Sequence, residues 1–170
     1  MFDLQLFKNN TAVITDRGET LTYSELQKEV DIFYTHIPSN GFLFCLCENV
    51  LASFVGYVAC MNKHVPLVLL DGSKDLELVL RLINIYHPEY IWLPSERVRE
   101  ICGNILYQYK GYSLLGMNYT DVQSDNTINS DLALCLTTSG STGSPKLVRL
   151  SEKNLQINAA SIAAYLHLDA

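Results

Sequence analysis

The ten residues Thr137-Thr-Ser-Gly-Ser-Thr-Gly-Ser-Pro-Lys146 concentrate hydroxyls, two glycines and a lysine in one short stretch. Glycine lets a backbone approach a ligand closely, hydroxyls and amides donate hydrogen bonds, and a lysine supplies the positive charge that a polyphosphate needs. A polar surface turn has a similar composition, but the lysine and the apolar run just before it, Leu132-Ala-Leu-Cys-Leu136, favour a phosphate-binding loop. Two other loops fail on spacing. A Walker loop starting at Gly140 needs glycine at 145 and a hydroxyl after the lysine, where the chain has Pro145 and Leu147. A nucleophile elbow needs a serine with glycine two residues away on both sides, and no serine in this stretch has that.

The remaining reactive residue types form no comparable constellation. His36, His64, His87 and His167 are far apart, each beside a turn or helix end, and read as surface or capping residues. The five cysteines sit in apolar segments or, for Cys102, at a helix end. Cys45 and Cys47 would share one face of a strand, but no second close pair of Cys or His completes a zinc site. They read as small buried hydrophobes in a reducing compartment. Asp71-Gly-Ser-Lys-Asp75 could hold an anion at a helix start, and a cap preceded by a turn explains it equally well. Trp92 and the tyrosines lack interleaved basic residues, which favours packing over base stacking.

The elements that would position the loop can be read from periodicity. Thr11–Thr15 and Thr20–Tyr23 flank Arg17-Gly18, as in a hairpin. Thr22-Tyr-Ser-Glu25 fits a capping box, followed by Leu26, Val30, Phe33 and Ile37 at helical spacing until Pro38 and Gly41. From Phe42 onward strand-like and helix-like segments alternate: a strand to Cys47, a helix capped by Asn49 and running to about Asn62, a strand Pro66–Leu70, a helix of about 74–86, a strand Tyr90–Leu93 and a short helix Ser95–Ile101. Strands without polar alternation, separated by helices, predict an α/β fold built of βαβ units, a largely parallel sheet covered on both faces. Ile105–Met117 reads as one or two strands broken at Lys110-Gly111, and Asn118–Asp131 as an exposed connector. Leu132–Leu136 is then a buried strand, Leu147–Leu150 its return, and Glu152–Leu168 a helix with Leu155, Ala159, Ile162 and Leu166 on one face.

At 170 residues, 48% hydrophobic and 18% charged, the chain can build one domain, 1–170, with a single core. Its 18 acidic and 12 basic residues give a formal charge of −6, and the basic residues are scattered, which argues against a nucleic-acid or anionic-membrane surface. The longest apolar runs are six residues, against the roughly twenty that a spanning helix needs, and the N-terminus lacks a signal-peptide pattern. A cytoplasmic location is expected, so the Asn9-Asn-Thr11 and Asn118-Tyr-Thr120 sequons carry no meaning.

The loop Thr138–Lys146 resembles the phosphate loop of the adenylate-forming (AMP-binding) superfamily, which includes acyl-CoA synthetases, nonribosomal-peptide adenylation domains and luciferase-like enzymes. Four further segments resemble that family in the family's order: Leu21-Thr-Tyr-Ser-Glu-Leu26, Gly56 to Leu67 with its Val-Pro-Leu ending, Asp131-Leu-Ala133, and Ser151-Glu-Lys-Asn-Leu155. Three positions depart from the pattern: Lys63 stands where glycine or alanine is common, Leu147 replaces the glycine after the loop lysine, and Glu152 replaces a histidine.

The resemblance implies an N-terminal portion of an enzyme that uses ATP with Mg2+. A carboxylate attacks the α-phosphate, pyrophosphate leaves, and the acyl group passes to a thiol, either CoA or a carrier protein. It places Thr138, Ser139, Ser141 and Thr142 on the β- and γ-phosphates, Lys146 against their charge, and Gly140 and Gly143 where the loop must close. The family's aromatic-Gly-x-Thr-Glu motif, ribose-binding aspartate and adenylation lysine have no counterpart up to Ala170. The expectation is therefore a fragment without catalytic residues or metal ligands of its own, inactive in isolation. A rival reading is a non-catalytic nucleotide-binding or interaction module. A sheet cut partway leaves edges and helix faces uncovered, so a homodimer, formed by exchange of the segment from Leu132 onward, is also expected.

Overall fold

The computed structural model describes residues 2–37, 41–119, 128–137 and 146–168. The chain opens with a two-stranded antiparallel sheet, β1 (Thr11–Ile14) and β2 (Thr20–Thr22), whose connection places Gly18 at φ +78°. Helix α1 (Tyr23–Thr35) starts on the expected capping box: Thr22 Oγ1 accepts from the Glu25 amide at 3.2 Å, and Glu25 Oε2 accepts from the Thr22 amide at 2.8 Å. Leu26, Val30 and Phe33 form its buried face.

The main sheet is laid down by β3 (Leu43–Cys47), β4 (Leu67–Asp71), β5 (Tyr90–Pro94), β6 (Asn104–Tyr109), β7 (Tyr112–Gly116), β8 (Leu132–Thr137) and β9 (Leu147–Ser151). Their order across the sheet is β6-β7-β5-β3-β4-β8-β9. The four central strands, β5-β3-β4-β8, are mutually parallel, while antiparallel pairs close both edges. The crossovers are helices α2 (Leu51–Asn62) and α3 (Leu76–Tyr86). A 3-10 turn, Ser95–Glu100, follows β5, and α4 (Glu152–Leu166) follows β9.

Continuous apolar strands are explained by the two cores. Leu43, Cys45, Leu67, Tyr90 and Trp92 point to the side of α1 and α2, and Phe44, Leu46, Val68, Leu70, Ile91 and Leu93 to the side of α3. Trp92 is the pivot of the first core. It donates from Nε1 to the Ala52 carbonyl at 2.9 Å and meets Phe33 edge-on at 5.0 Å between centroids. It also lies so near α2 that a Cβ on Gly56 would fall 2.6 Å from its ring.

Several expectations need correction. Asn49 does not cap α2; the cap position is Val50, in extended backbone without a side-chain bond, which leaves Asn49 one residue outside the cap. Helix α3, by contrast, starts within two residues of the expected 74, capped by Asp75, which accepts from the Glu77 amide at 3.0 Å. Strand β8 is only half-buried, since its neighbour β9 is an edge strand and Leu136 is 39% exposed. The expected strand break at Lys110-Gly111 does occur, as the turn of the β6–β7 hairpin, with both residues at positive φ. In α4, Leu155 packs against the first core, whereas Ile162 and Leu166 stay about half exposed.

Candidate functional site

Because β3, β4, β5 and β8 run in one direction, Cys47, Asp71, Pro94 and Thr137 all end at the same edge of the sheet. Open parallel sheets bind ligands in the crevice outside such carboxyl ends. The edge is braced by its own turns. The Gly72 amide donates to the Cys47 carbonyl at 2.7 Å, and a Cβ on Gly72 would lie 2.8 Å from that oxygen, so the turn after β4 accepts only glycine without displacement. Arg97, on the 3-10 turn after β5, donates to the Gly72 carbonyl at 2.7 Å and pairs with Glu100 at 2.8 Å. Tyr112 reaches from β7 across β5 to donate to the Leu46 carbonyl at 3.1 Å and accept from the Glu48 amide at 3.0 Å. Burial raises the phenol of Tyr112, with the charge of Glu48 adding to the effect.

A groove opens between these turns, lined by Glu48, Gly72, Ser73, Lys74, Glu96 and Arg97. Asp71 at its margin accepts from both the Ser73 amide and hydroxyl, at 2.9 and 2.7 Å, and these bonds hold its carboxyl below the usual range. The Asp71–Asp75 segment is thus a turn followed by a cap, the simpler of its two readings.

Of the residues assigned to phosphate from the sequence, Thr138, Ser139, Gly140, Ser141, Thr142 and Gly143 lie outside the described residues. Their anchors are described. Thr137 pairs with Leu147 in the antiparallel β8–β9 hairpin, so Lys146 lies beyond that pair, exposed, on the carboxyl side of β8. Lys146 is therefore at the same end of the sheet as Cys47, Asp71 and Pro94. What the sequence reading missed is the bracing by Gly72, Arg97 and Tyr112. Their residue types gave no signal, since only the strand order brings them together.

At the opposite end, a second groove of about 590 Å³ lies between the end of α2 and the starts of β8 and α4. There Glu152, where the family pattern has histidine, faces His64 with Oε2 3.2 Å from Nδ1. A second of the three departures, Lys63, closes α2 at φ −105°, and the left-handed position that would favour glycine is taken by His64 at φ +54°.

In fold the chain matches the N-terminal domain of the adenylate-forming enzymes, and in sequence it matches part of an acyl-CoA ligase. No protein-family profile matches the chain. A curated relative, the long-chain-fatty-acid–CoA ligase ACSBG2 of Xenopus laevis, is 30% identical over 137 residues, covering 78% of this chain and 18% of the relative. Among solved structures, ATP-bound MatB from Rhodopseudomonas palustris superposes with a TM-score of 0.70 at 18% identity, over 93% of this chain and 35% of that one. MenE, the o-succinylbenzoate CoA synthetase of Bacillus subtilis, in complex with the acyl-adenylate intermediate, gives 0.70 at 19% identity over 97% and 45%. The Vibrio cholerae adenylation domain AlmE in complex with glycyl-adenosine-5'-phosphate gives 0.70 at 17% over 98% and 37%. The chain thus spans less than half the length of each of these relatives. MenE was also solved with ATP and magnesium ion.

Among the described residues no helix is long and apolar enough to cross a membrane, and no group of three or more His, Cys, Asp or Glu could hold a metal ion.

Proposed function

We propose that residues 1–170 are one α/β domain, the N-terminal part of an AMP-binding ligase that activates a carboxylic acid as its acyl adenylate, and that Thr137–Lys146 is its phosphate loop. The observation that carries this reading is the hairpin placement of Lys146 at the carboxyl edge of the parallel strands, in a chain with the fold of adenylate-forming enzymes. The donor set suits the ligand: the hydroxyls of Thr138, Ser139, Ser141 and Thr142 donate to the β- and γ-phosphates, Lys146 offsets their charge, and Gly140 and Gly143 admit close backbone approach. Magnesium would enter with the triphosphate, and no protein ligand is assigned to it.

In the whole enzyme, the substrates are a small carboxylic acid, ATP and a thiol acceptor, CoA or a carrier protein, in the cytoplasm. The 170 residues contain no match to the aromatic-Gly-x-Thr-Glu motif. They are expected to bind polyphosphate without supporting carboxylate-dependent pyrophosphate exchange. The half-exposed Ile162 and Leu166 on α4 supply the apolar face for the proposed homodimer, and a monomer at high micromolar concentration in sedimentation equilibrium would reject it.

Titration calorimetry with magnesium and ATP or pyrophosphate tests the loop. A charge-assisted hydrogen bond is worth about 1.5–3 kcal/mol, so Lys146→Ala is expected to weaken binding by roughly ten- to a hundredfold. Equal affinity in the two proteins would remove Lys146 from the phosphate site. Acid-dependent pyrophosphate exchange by the isolated chain would overturn its assignment as a non-catalytic part.

A further inference from the structure

Asp71 is the only aspartate in the chain followed by glycine. An aspartyl-glycyl bond carries its own reactive pair. The glycine amide nitrogen, with no Cβ beside it, can attack the carbonyl carbon of the aspartate side chain and close a five-membered succinimide. The glycine is not readily replaced here, because a Cβ on Gly72 would lie 2.8 Å from the Cys47 carbonyl oxygen. The labile pair therefore follows from how tightly the chain turns at the end of β4.

Three features of the fold oppose ring closure. Closure needs the Gly72 nitrogen to swing about the Asp71 Cα–C bond until it eclipses Cβ, whereas Asp71 is held in extended backbone by its parallel register with Cys47. Gly72 is also tied at both ends, its N–H donating to the Cys47 carbonyl at 2.7 Å and its carbonyl accepting from Arg97 at 2.7 Å. Finally, the Asp71 carboxylate accepts from the Ser73 amide and hydroxyl at 2.9 and 2.7 Å, and the ionised form that these bonds favour has no hydroxyl to lose as water. All three restraints are local. Asp71 and Ser73 are exposed at the carboxyl end of the sheet, where opening need not wait for global unfolding.

We propose that Asp71-Gly72 is a modification site, a latent isoaspartate that forms when the end of β4 comes away from β3. The Gly72 nitrogen gives up its proton and bonds to Asp71 Cγ, whose hydroxyl leaves as water. A water molecule then opens the ring. Opening at Cγ restores aspartate, and opening at the backbone carbonyl leaves a chain that runs through Cγ, one methylene longer, with a free carboxylate on the former backbone carbon. No oxidant or reductant takes part, and the net mass is unchanged. The extra methylene moves Gly72 off the Cys47 and Arg97 bonds, so a modified chain cannot rebuild this part of the carboxyl edge. None of this depends on the assignment of the phosphate loop.

The test is incubation of the chain in mildly acidic buffer, folded and in a denaturing concentration of guanidinium chloride, followed by tryptic digestion. Isoaspartate is scored on the peptide holding Asp71 by electron-transfer fragmentation and by methyl transfer from S-adenosylmethionine with an isoaspartyl methyltransferase. Asn40-Gly41 can form the same linkage by deamidation, but with a change of mass and on a different tryptic peptide. The rate at Asp71 is expected to be at least about tenfold lower in the folded chain than in the unfolded one. Ser73→Ala, which removes the hydroxyl bond, is expected to raise the folded rate by roughly two- to tenfold and to leave the unfolded rate nearly unchanged. Equal rates in the folded and unfolded wild-type chain would overturn the proposal, as would no isoaspartate at Asp71 in either. A folded rate unmoved by Ser73→Ala would overturn it too, since the turn would then not gate the reaction.

Discussion

Helices α2 and α4 are of similar length, yet α2 buries nine of its twelve residues and α4 buries none of its fifteen. The difference comes from what precedes and follows each one. Helix α2 connects two central parallel strands, β3 and β4, and must lie across the sheet they build, between α1 and Trp92. Helix α4 leaves an edge strand, β9, and only Leu155 near its start meets the core. Burial therefore follows from position in the sheet order. Composition alone would have ranked the two helices much closer.

Large-to-small substitutions in the two helices should separate most widely. Leu51→Ala, in the first core, is expected to cost about 2–5 kcal/mol, whereas Ile162→Ala, about half exposed, should stay within about 0.5 kcal/mol. Urea unfolding monitored by circular dichroism reads both, and comparable losses would mean that α4 is covered in solution.

A smaller effect is expected at Gly56. Its added Cβ would meet a tryptophan that is fully buried and tied to the Ala52 carbonyl, so neither partner can yield cheaply. Gly56→Ala should lose about 1–3 kcal/mol to overpacking, offset by up to about 1 kcal/mol of better helix propensity. Trp92 is the only tryptophan, so its fluorescence reports the displacement directly.

The smallest difference lies in the caps. Both α1 and α4 start on a capping box, but the reaching residue is Glu25 in α1 and Asn154 in α4. Bonds from the Thr22 amide and hydroxyl hold the Glu25 carboxyl below its ordinary value. Its stabilising effect is present above the unfolded pKa, about 4.3, and is lost as the pH falls through the lower folded value. Glu25→Gln should flatten this acid-side slope in stability, measured by thermal unfolding between about pH 5 and pH 2. An unchanged slope would show that the carboxylate bond does not survive in solution.

Much of the fold was legible because local chemistry fixes it. Gly18, the Thr22–Glu25 box and Lys110-Gly111 mark turns and starts that depend only on neighbours, and the unbroken apolar runs announced strands buried on both faces. The sheet order was not legible. Nothing local says that β7 inserts between β5 and β6, or that β8 docks on β4, since these pairings rest on contacts distant in sequence. The same limit hid the bracing of the carboxyl edge by Arg97 and Tyr112. The family-like segments around the loop also have plain structural meanings. Thr22 and Glu25 are cap residues of α1, Ser151 and Asn154 are cap residues of α4, Gly56 clears Trp92, and Leu155 is the residue of α4 that reaches the core. They carry the fold's punctuation, and the proposed chemistry is assigned to the loop they surround.

Among the described residues, three of the four α-helices pass the chain onward through a histidine at positive φ: His64 after α2, His87 after α3 and His167 after α4. An L-residue there sits in a conformation that costs roughly 1–2 kcal/mol relative to the right-handed one, a cost that glycine escapes. For sequence drift this makes the three positions asymmetric. Glycine or asparagine can enter with a gain in stability, while valine, isoleucine and threonine are shut out by their branched Cβ. His87, exiting α3 far from Lys146 along the chain, is where a protein engineer could collect that gain and leave the proposed phosphate loop as it is.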